Sequence, residues 1–252
     1  MNIDAPTLDL IPALRGLWKE AFGDSDEFLD LFWRTAFSTD RSGCVTVDGE
    51  VAAALYWFDC ECRGERVAYI YAVATAKKYR GRGICRRLME DTHAKLKAQG
   101  YVGALLVPGS EGLFDFYAKL GYKNCGSIGE INCRAAEKAT EIRRIDIEEY
   151  AKLRRGFLPH GGVVQEGENL AFLKEQTELY AGDSFLLTAR RAENRLYGLE
   201  LLGDAEKMSA ILHSLGCTEG TFRLPDGNKP FAMYFPLYEK HPAPEYFGLA
   251  FD

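Results

Sequence analysis

Several features that mark membrane, secreted or nucleic-acid-binding proteins are missing from this sequence of 252 residues. No apolar run is long enough to cross a bilayer, and residues 1–6 contain no basic segment leading into an apolar core. We therefore expect neither a signal peptide nor a membrane partner, and we expect a cytoplasmic protein. Acidic residues outnumber basic ones, and the formal net charge is -6. An acidic chain repels phosphate backbones, which argues against nucleic acid as a partner.

Cysteine pairs with the spacing of a zinc site are also missing. The sequence has seven cysteines, and an odd number in a cytoplasmic chain argues against a disulfide framework. Cys60 and Cys62 are the closest pair, but a single intervening residue is not the usual ligand spacing, and no nearby histidine completes a tetrahedral set. We therefore predict no metal ion, and thiols that are buried or half-buried.

The apolar pattern that is present changes between helical and strand periods. Apolar residues recur at helical spacing over residues 10–37, which predicts two helices. The dipeptide Asp48-Gly49 between two β-prone runs predicts a hairpin, and residues 66–75 predict the next strand. An amphipathic helix closed by Gln99-Gly100 then leads into a short apolar strand over residues 102–107. Strands that alternate with helices predict an α/β or α+β domain.

The second half of the chain partly repeats the order of elements in the first. Residues 135–144 are charged, lack a clear apolar face and are interpreted as a linker. Beyond them we predict helices, one of them over residues 169–180, then a hairpin, a helix and more strands. We therefore predict two domains, residues 1–136 and residues 137–252. The second is either a diverged repeat of the first or an unrelated small α/β domain, and the pattern leaves both open.

The most informative segment is a basic turn with two glycines between a predicted strand and a predicted helix. It reads Arg80-Gly81-Arg82-Gly83. Glycines let a ligand approach the backbone, and the N-terminus of the following helix favours an anion. The Gly-Lys-Ser/Thr of a P-loop is absent, and Arg86 stands where a dinucleotide fingerprint needs its third glycine. A pyrophosphate site, a solvated basic turn and an Arg/Gly nucleic-acid patch all stay open on these residues alone.

Two motifs in this order resemble the GCN5-related N-acetyltransferase (GNAT) superfamily. Residues 80–85, Arg-Gly-Arg-Gly-Ile-Cys, resemble its Arg/Gln-x-x-Gly-x-Gly/Ala signature, with Cys85 in place of the usual Gly or Ala. Residues 113–122 resemble its Phe-Tyr-x-x-Leu-Gly-Phe/Tyr segment. The resemblance covers about half of the chain, residues 10–133. It implies an α/β (α+β) fold with a GNAT-like mixed, mostly antiparallel sheet flanked by helices. A second, smaller α/β domain follows, for which a degenerate GNAT-like repeat is one explanation.

The resemblance also implies a co-substrate and a site. Acetyl-CoA is the expected acetyl donor, with its pyrophosphate on the glycine loop and its pantetheine arm beside the preceding strand. Tyr117 is the expected general acid, which would protonate the departing thiolate. The expected cofactor-binding residues are Val73, Ala74, Thr75, Arg80, Gly81, Arg82, Gly83, Ile84, Cys85, Arg86, Ser110 and Glu111.

The base that deprotonates the amine is less clear from the sequence. Many GNAT relatives use a glutamate on the strand before the loop, but here that strand has no carboxylate over residues 68–72. Asp59 and Glu61 on the neighbouring strand are candidates, although each also fits a surface carboxylate. The pair Ser110-Glu111 resembles the enhanced-intracellular-survival acetyltransferases, but it lies farther from the tyrosine than in those enzymes. That subfamily acetylates aminoglycosides and polyamines. It can use the carboxylate at the end of the chain as the base, and here that carboxylate belongs to Asp252.

The function implied by the resemblance is acetyl transfer from acetyl-CoA to a primary amine of a small molecule or peptide. Two alternatives stay open. The first is a catalytically silent module that binds acyl-CoA as a sensor. The second is a nucleic-acid-binding protein that uses the Arg/Gly loop, which would show a steep salt dependence of binding.

Overall fold

The computed structural model describes residues 1–251. Its helices are α1 (Ile11–Phe22), α2 (Asp26–Thr35), α3 (Ile84–Ala98), α4 (Glu111–Ala118), α5 (Ile147–Phe157), α6 (Glu168–Lys174) and α7 (Met208–Ser214). Its strands are β1 (Asn2–Asp4), β2 (Ser42–Val47), β3 (Glu50–Cys62), β4 (Glu65–Thr75), β5 (Gly103–Leu106), β6 (Lys123–Arg134), β7 (Arg143–Arg144), β8 (Val164–Gln165), β9 (Glu178–Ala181), β10 (Phe185–Ala192), β11 (Arg195–Gly203) and β12 (Glu219–Pro236).

The strands form one sheet of twelve, in the order β1-β2-β3-β4-β5-β12-β11-β10-β9-β7, with β6 beside β12 and β8 beside β3. Two pairs are parallel, β4 with β5 and β11 with β12, and the other pairs are antiparallel. The predicted mixed, mostly antiparallel sheet with flanking helices is therefore confirmed. Several predicted elements are also confirmed, including the hairpin at Asp48-Gly49, where both residues have a positive φ (51° and 83°) as its tight turn requires.

The two parallel strands of the first half separate before β4 ends. β4 pairs with β5 from Val67 to Tyr69, and no pairing with β5 continues beyond Tyr69 within the described strands. On its other side β4 stays paired with β3 up to Thr75, but the register shifts just before Ala74. Ala72 lies in this irregularity with a φ of 49°, a conformation that costs free energy for a residue other than glycine. The bend and the separation leave an opening between β4 and β5.

Two long strands cross between the halves of the chain. The first part of β12 pairs with β11 at residues 219–222, and its last part pairs with β5 at residues 233–236. β6 runs antiparallel beside both parts, with a register shift after Leu224. The last strand of the second half therefore completes the sheet of the first half. The predicted boundary between residues 136 and 137 falls between β6 and β7, but the sheet continues across it because β12 returns to β5.

The second half follows the order of the first in its central elements. The hairpin β10–β11 is followed by α7 and then by β12, which pairs parallel with β11. The hairpin β3–β4 is likewise followed by α3 and then by β5, which pairs parallel with β4. This agreement favours a diverged repeat over an unrelated domain. One predicted element is wrong, because residues 169–180 do not form one helix: α6 ends at Lys174, and residues 178–181 form β9.

Aromatic side chains from both halves share one core. The ring of Phe32 on α2 lies 5.6 Å from that of Phe172 on α6, and the ring of Phe58 on β3 lies 4.7 Å from that of Phe251. A smaller second core packs α7 against β10, β11 and β12. A buried ion pair joins α5 to β11, in which Arg154 Nε lies 2.7 Å from Glu200 Oε2. The contact between Phe251 and Phe58 holds the end of the described chain against the first half.

Candidate cofactor and acceptor site

A cleft of about 1130 Å³ opens where β4 and β5 separate. One wall is residues 69–73 of β4, and the facing wall is the segment 106–111 that leads from β5 into α4. The end of α1 and the start of α2 close a third side. The second half supplies the fourth side through β10 and β12. The cleft therefore lies at the point where the two halves meet.

The predicted glycine loop follows β4, the strand whose residues 69–73 line the cleft, and leads into α3. Gly81 and Gly83 have φ values of 74° and 72°, which only glycine adopts readily. A Cβ at either position would meet no atom within 4 Å, so the requirement is conformational and not steric. Gly83 occupies the N-cap position of α3, so the free N–H groups of the first helical turn point toward the loop. Arg80 Nε donates to the Thr75 carbonyl at 2.9 Å and ties the loop to the end of β4.

The basic side chains around the loop divide into two groups. Lys78 is paired with Glu50, which also accepts a hydrogen bond from the Tyr79 hydroxyl at 3.0 Å. Arg80, Arg82 and Arg86 are exposed on the loop and on the first turn of α3. One guanidinium nitrogen of Arg86 donates to the carbonyl of Lys119 at 3.3 Å and so links α3 to the end of α4. A loop that combines free helix N–H groups with exposed arginines is suited to a pyrophosphate.

The structure brings only part of the predicted cofactor set to the cleft wall. Val73, Ser110 and Glu111 line it. Ala74 instead faces a small void beneath α1, and Ile84 is buried under the start of α3. Residues 80–86 lie outside the enclosed part of the cleft.

The thiol of Cys85 points inward from α3, within hydrogen-bond reach of Thr75. Burial raises the pKa of this thiol to about 11, so it stays protonated at neutral pH. The seven cysteines are free thiols, five of them buried and two half-buried.

Tyr117 lies on α4 and lines the cleft with 7% of its surface exposed. Within residues 1–251 its hydroxyl makes no hydrogen bond. Burial, and secondarily the neighbouring Cys85, raises the pKa of Tyr117 above its ordinary value, so the phenol keeps its proton at neutral pH. A neutral phenol facing the cleft can donate a hydrogen bond or a proton to a group bound there.

A buried histidine supports the ring of Tyr117 from behind. Tyr117 contacts Tyr122 edge to face at 5.7 Å. The Tyr122 hydroxyl shares a hydrogen bond of 2.7 Å with His93 Nε2, and the His93 ring stacks on Phe235 at 4.1 Å. Burial lowers the pKa of His93 to about 4, so the imidazole is neutral at neutral pH. These contacts fix the orientation of the Tyr117 ring toward the cleft.

Neither carboxylate proposed from the sequence as a base lines the cleft. Asp59 accepts hydrogen bonds from Tyr101 and, at 3.1 Å, from Arg66. Glu61 lies 3.7 Å from Arg155 on the surface. Both fit the alternative that they are surface carboxylates.

The acidic residues on the cleft wall are Asp24, Glu111 and Glu130. Asp24 and Glu130 were missed by the sequence analysis. Nothing in the local sequence marks either residue as facing a ligand.

The end of the described chain forms part of the cleft wall. The Tyr71 hydroxyl donates to the Phe251 carbonyl at 3.0 Å, and the Tyr69 hydroxyl accepts from the Phe251 N–H at 3.5 Å. Both tyrosines lie on β4, and the Phe251 ring lines the cleft. The terminal carboxylate that was expected as a base belongs to Asp252, which lies outside the described residues.

The wall from the second half carries positive charge. Arg190 on β10 donates to Gln176 Oε1 at 3.3 Å. Arg223 on β12 donates to the Gly248 carbonyl at 3.2 Å, and its guanidinium lies 4.4 Å from the centre of the Phe231 ring. Lys229 is paired with Glu130 at 2.5 Å.

The second half does not repeat the phosphate-binding geometry. Gly203 has a φ of 88° at the end of β11, which corresponds in place to the glycine loop. However, Asp204 follows, and its carboxylate already accepts from the Glu206 N–H at 3.0 Å. A carboxylate at this helix start repels a phosphate.

Within residues 1–251, no helix is long and apolar enough to cross a membrane, and no three His, Cys, Asp or Glu side chains come together as metal ligands.

Several solved structures share this fold. A GCN5-related N-acetyltransferase from Kribbella flavida is 18% identical, with a TM-score of 0.72 over 92% of this chain and 70% of that chain. A GCN5-related N-acetyltransferase from Anabaena variabilis is 15% identical, with a TM-score of 0.74 over 94% and 73%. Eis1 from Mycobacterium abscessus is 14% identical, with a TM-score of 0.65 over 91% and 66%. At these identities the similarity concerns the fold, and it extends over both halves of the chain.

Among curated proteins, none matches the chain. The family model described as the Acetyltransferase (GNAT) domain matches residues 2–125. This segment contains the glycine loop, the parted strands β4 and β5, and Tyr117. Sequence and fold therefore agree that residues 2–125 form a GNAT acetyltransferase domain.

Proposed function

We propose that the protein transfers an acetyl group from acetyl-CoA to a primary amine of a small molecule or peptide. The observation that carries the proposal is the meeting of three features in one opening. The glycine loop follows the β4 residues that line it, the strands β4 and β5 part to form it, and Tyr117 lines it. These are the groups needed to bind a pyrophosphate, hold an extended thioester arm and protonate a leaving thiolate.

The parted strands support an extended arm beside β4. Because pairing with β5 ends at Tyr69, the backbone groups of residues 70–75 on that side of the strand have no β5 partner. An extended amide-containing chain can hydrogen-bond there as an added strand. The arginines of residues 80–86 and the first N–H groups of α3 would take the pyrophosphate. Ser110 and Glu111, at the start of α4, would border the arm from the facing wall.

The reaction needs positioning and two proton transfers. The amine nitrogen attacks the thioester carbonyl carbon, a C–N bond forms and the C–S bond breaks. Tyr117 gives its proton to the sulfur, and the protons that the amine loses pass to a base and solvent. A backbone N–H near Val73 is suited to stabilise the oxyanion. The products are the N-acetylated amine and coenzyme A, and no metal ion is required.

The second half would shape the acceptor side rather than bind a second cofactor. It supplies the wall with Arg190 and Arg223 and lacks a phosphate-binding loop. We therefore expect one acetyl-CoA per chain. The cytoplasm, where acetyl-CoA is made and used, is the compartment that suits this activity.

The test is a steady-state assay of coenzyme A release over a panel of amines: aminoglycosides, polyamines, amino acids and peptide N-termini. Acetylated product, identified by mass, supports the proposal. Tight acetyl-CoA binding without product on any amine would favour the acyl-CoA sensor. Binding to DNA or RNA with a steep salt dependence would instead favour use of the Arg/Gly loop for nucleic acid.

A further inference from the structure

Helix α4 carries an exposed aromatic ring that the reaction described above does not use. Phe116 is 36% exposed and does not line the cleft, although Phe114 and Tyr117 of the same helix do. Its ring meets the buried ring of Tyr117 edge to face at 5.2 Å, which holds it in place. A single exposed apolar side chain is common on protein surfaces, so the surroundings of this ring decide what it is suited for.

The surroundings of Phe116 include the start of α3. One guanidinium nitrogen of Arg86, on the first turn of α3, donates to the carbonyl of Lys119 at 3.3 Å. Phe116 precedes Lys119 by three residues, so the two are neighbours on the surface of α4, about 4.5 Å apart along its axis. The exposed ring therefore lies one helical turn from the contact between the two helices, beside the turn proposed to bind the pyrophosphate.

The same surface carries positive charge. Lys119, Arg86 and Arg82 are exposed. Within residues 1–251, neither Lys119 nor Arg86 forms an ion pair with a carboxylate. Asp115 is the one acidic residue in the sequence from 113 to 119. The cations therefore outnumber the acid at this junction, and the junction attracts an anion.

Tyr79, which also lies beside the glycine loop, is less suited to contact a planar group. It is 9% exposed, and its hydroxyl donates to Glu50 at 3.0 Å. The ammonium of Lys78 lies 5.1 Å from the centre of its ring, and the guanidinium of Arg82 lies 5.5 Å from it. These cations already contact the ring of Tyr79, whereas the ring of Phe116 is open to solvent.

We propose that Phe116 stacks on the adenine of coenzyme A, and that Lys119, with Arg86 beside it, binds the phosphate on the 3′ oxygen of the ribose. This inference rests on the proposed function, because it takes acetyl-CoA as the donor, and it extends that function by assigning the adenosine end of the donor to α4. One ribose links the pyrophosphate to the adenine, so a pyrophosphate on α3 keeps the adenine near the contact between α3 and α4. A purine face suits a phenyl ring, and a phosphate suits ammonium and guanidinium groups.

The experiment measures binding by calorimetry, separately from turnover, with three probes at low ionic strength. Coenzyme A has all the groups, dephospho-coenzyme A lacks the 3′-phosphate, and 4′-phosphopantetheine, titrated by displacement, lacks the adenosine. The variants are Phe116→Ala, Phe116→Tyr and Lys119→Gln. Lys97→Gln is the matched charge control, because Lys97 lies in the last turn of α3, with its ammonium 4.7 Å from the centre of the Tyr238 ring.

We expect Phe116→Ala to bind coenzyme A and dephospho-coenzyme A about 10-fold more weakly, within the range for losing a base–aromatic stack. Its affinity for 4′-phosphopantetheine should equal that of the wild type, because this probe has no adenine. Phe116→Tyr keeps an aromatic ring and should restore the affinity for coenzyme A.

The 3′-phosphate should contribute through charge. We expect the wild type to prefer coenzyme A over dephospho-coenzyme A about 5- to 20-fold, because two exposed cations pair with the phosphate at low ionic strength. Lys119→Gln should lower this preference about threefold or more and leave the affinity for dephospho-coenzyme A unchanged. Lys97→Gln should match the wild type for each probe.

Three results would overturn the inference: wild-type affinity for coenzyme A in Phe116→Ala, an equal loss of affinity for 4′-phosphopantetheine in that variant, or equal binding of coenzyme A and dephospho-coenzyme A by the wild type. The proposed function fails in a different way. If coenzyme A binds through Phe116 and Lys119 but no amine is acetylated, then the adenosine site stands and the acetyltransferase activity does not. If amines are acetylated while Phe116→Ala and Lys119→Gln bind coenzyme A as the wild type does, then the activity stands and the adenosine site does not.

Discussion

The sharpest structural prediction concerns the hydroxyl of Tyr117. In Tyr117→Phe the ring keeps its contacts with Tyr122 and Phe116, and only the oxygen is lost. That oxygen makes no hydrogen bond within residues 1–251. The free energy of unfolding should therefore change by less than about 1 kcal/mol. Acetyl-CoA affinity should also be retained, because the loop and β4 are untouched.

The effect on catalysis should be large. Burial raises the pKa of Tyr117, so the wild-type phenol is fully protonated at neutral pH and is available as a donor. Loss of a general acid costs roughly 10²–10⁴-fold in rate, or about 3–5 kcal/mol of activation free energy. We expect kcat for coenzyme A release to fall by this factor at saturating amine.

Tyr122→Phe is a matched control for this experiment. It removes a buried hydroxyl from the neighbouring ring and leaves His93 Nε2 without its partner at 2.7 Å. Its pattern should be opposite, with about 1–3 kcal/mol lost from the free energy of unfolding and less than about tenfold lost from kcat. If Tyr117→Phe keeps nearly full kcat, the phenol only fills space and its assignment as the acid is refuted.

Four further predictions concern other parts of the site and its support. Gly83→Glu should abolish acetyl-CoA binding in calorimetry, because it strains a left-handed position and adds negative charge at the loop; unchanged affinity would contradict the loop assignment. Phe251→Ala should raise KM for the amine while the Kd of acetyl-CoA stays constant, since the ring lines the cleft and the glycine loop, residues 80–83, does not. Glu200→Gln should lower the free energy of unfolding by about 3–5 kcal/mol, measured with urea, because it leaves Arg154 buried without a counter-charge. Burial lowers the pKa of His93 to about 4, so between pH 6.5 and 4 the unfolded chain binds more protons than the folded one. The free energy of unfolding should therefore fall as the pH drops from 6.5 to 4, and His93→Gln should weaken this pH dependence.

Local sequence signals were sufficient for the elements around the cofactor side. The positive φ values of Gly81 and Gly83 follow from what only glycine tolerates between a strand and a helix. The hairpin at Asp48-Gly49 is likewise encoded in its two turn residues. Such features depend on a few consecutive residues, so a single sequence reveals them.

The acceptor side depends on contacts between distant residues, which no local pattern reports. The carboxylate of Asp24 is held by the indole of Trp18. The Trp18 ring in turn packs against Tyr71, which lies 53 residues farther along the chain. The return of β12 to β5 depends on pairing between residues 233–236 and 103–106. The predicted helix over residues 169–180 failed for the same reason. Its apolar residues fit a helical period, but residues 178–181 pair with β10, and tertiary pairing overrides the local preference.

Product analysis decides whether the protein transfers an acetyl group from acetyl-CoA to an amine. The protein is incubated with acetyl-CoA and the amine panel, and mass spectrometry follows both the acetylated amine and free coenzyme A. We expect one acetyl group on nitrogen for each coenzyme A released, with both signals lost in Gly83→Glu. An outcome in which acetyl-CoA binds to the loop but no amine gains an acetyl group would contradict it.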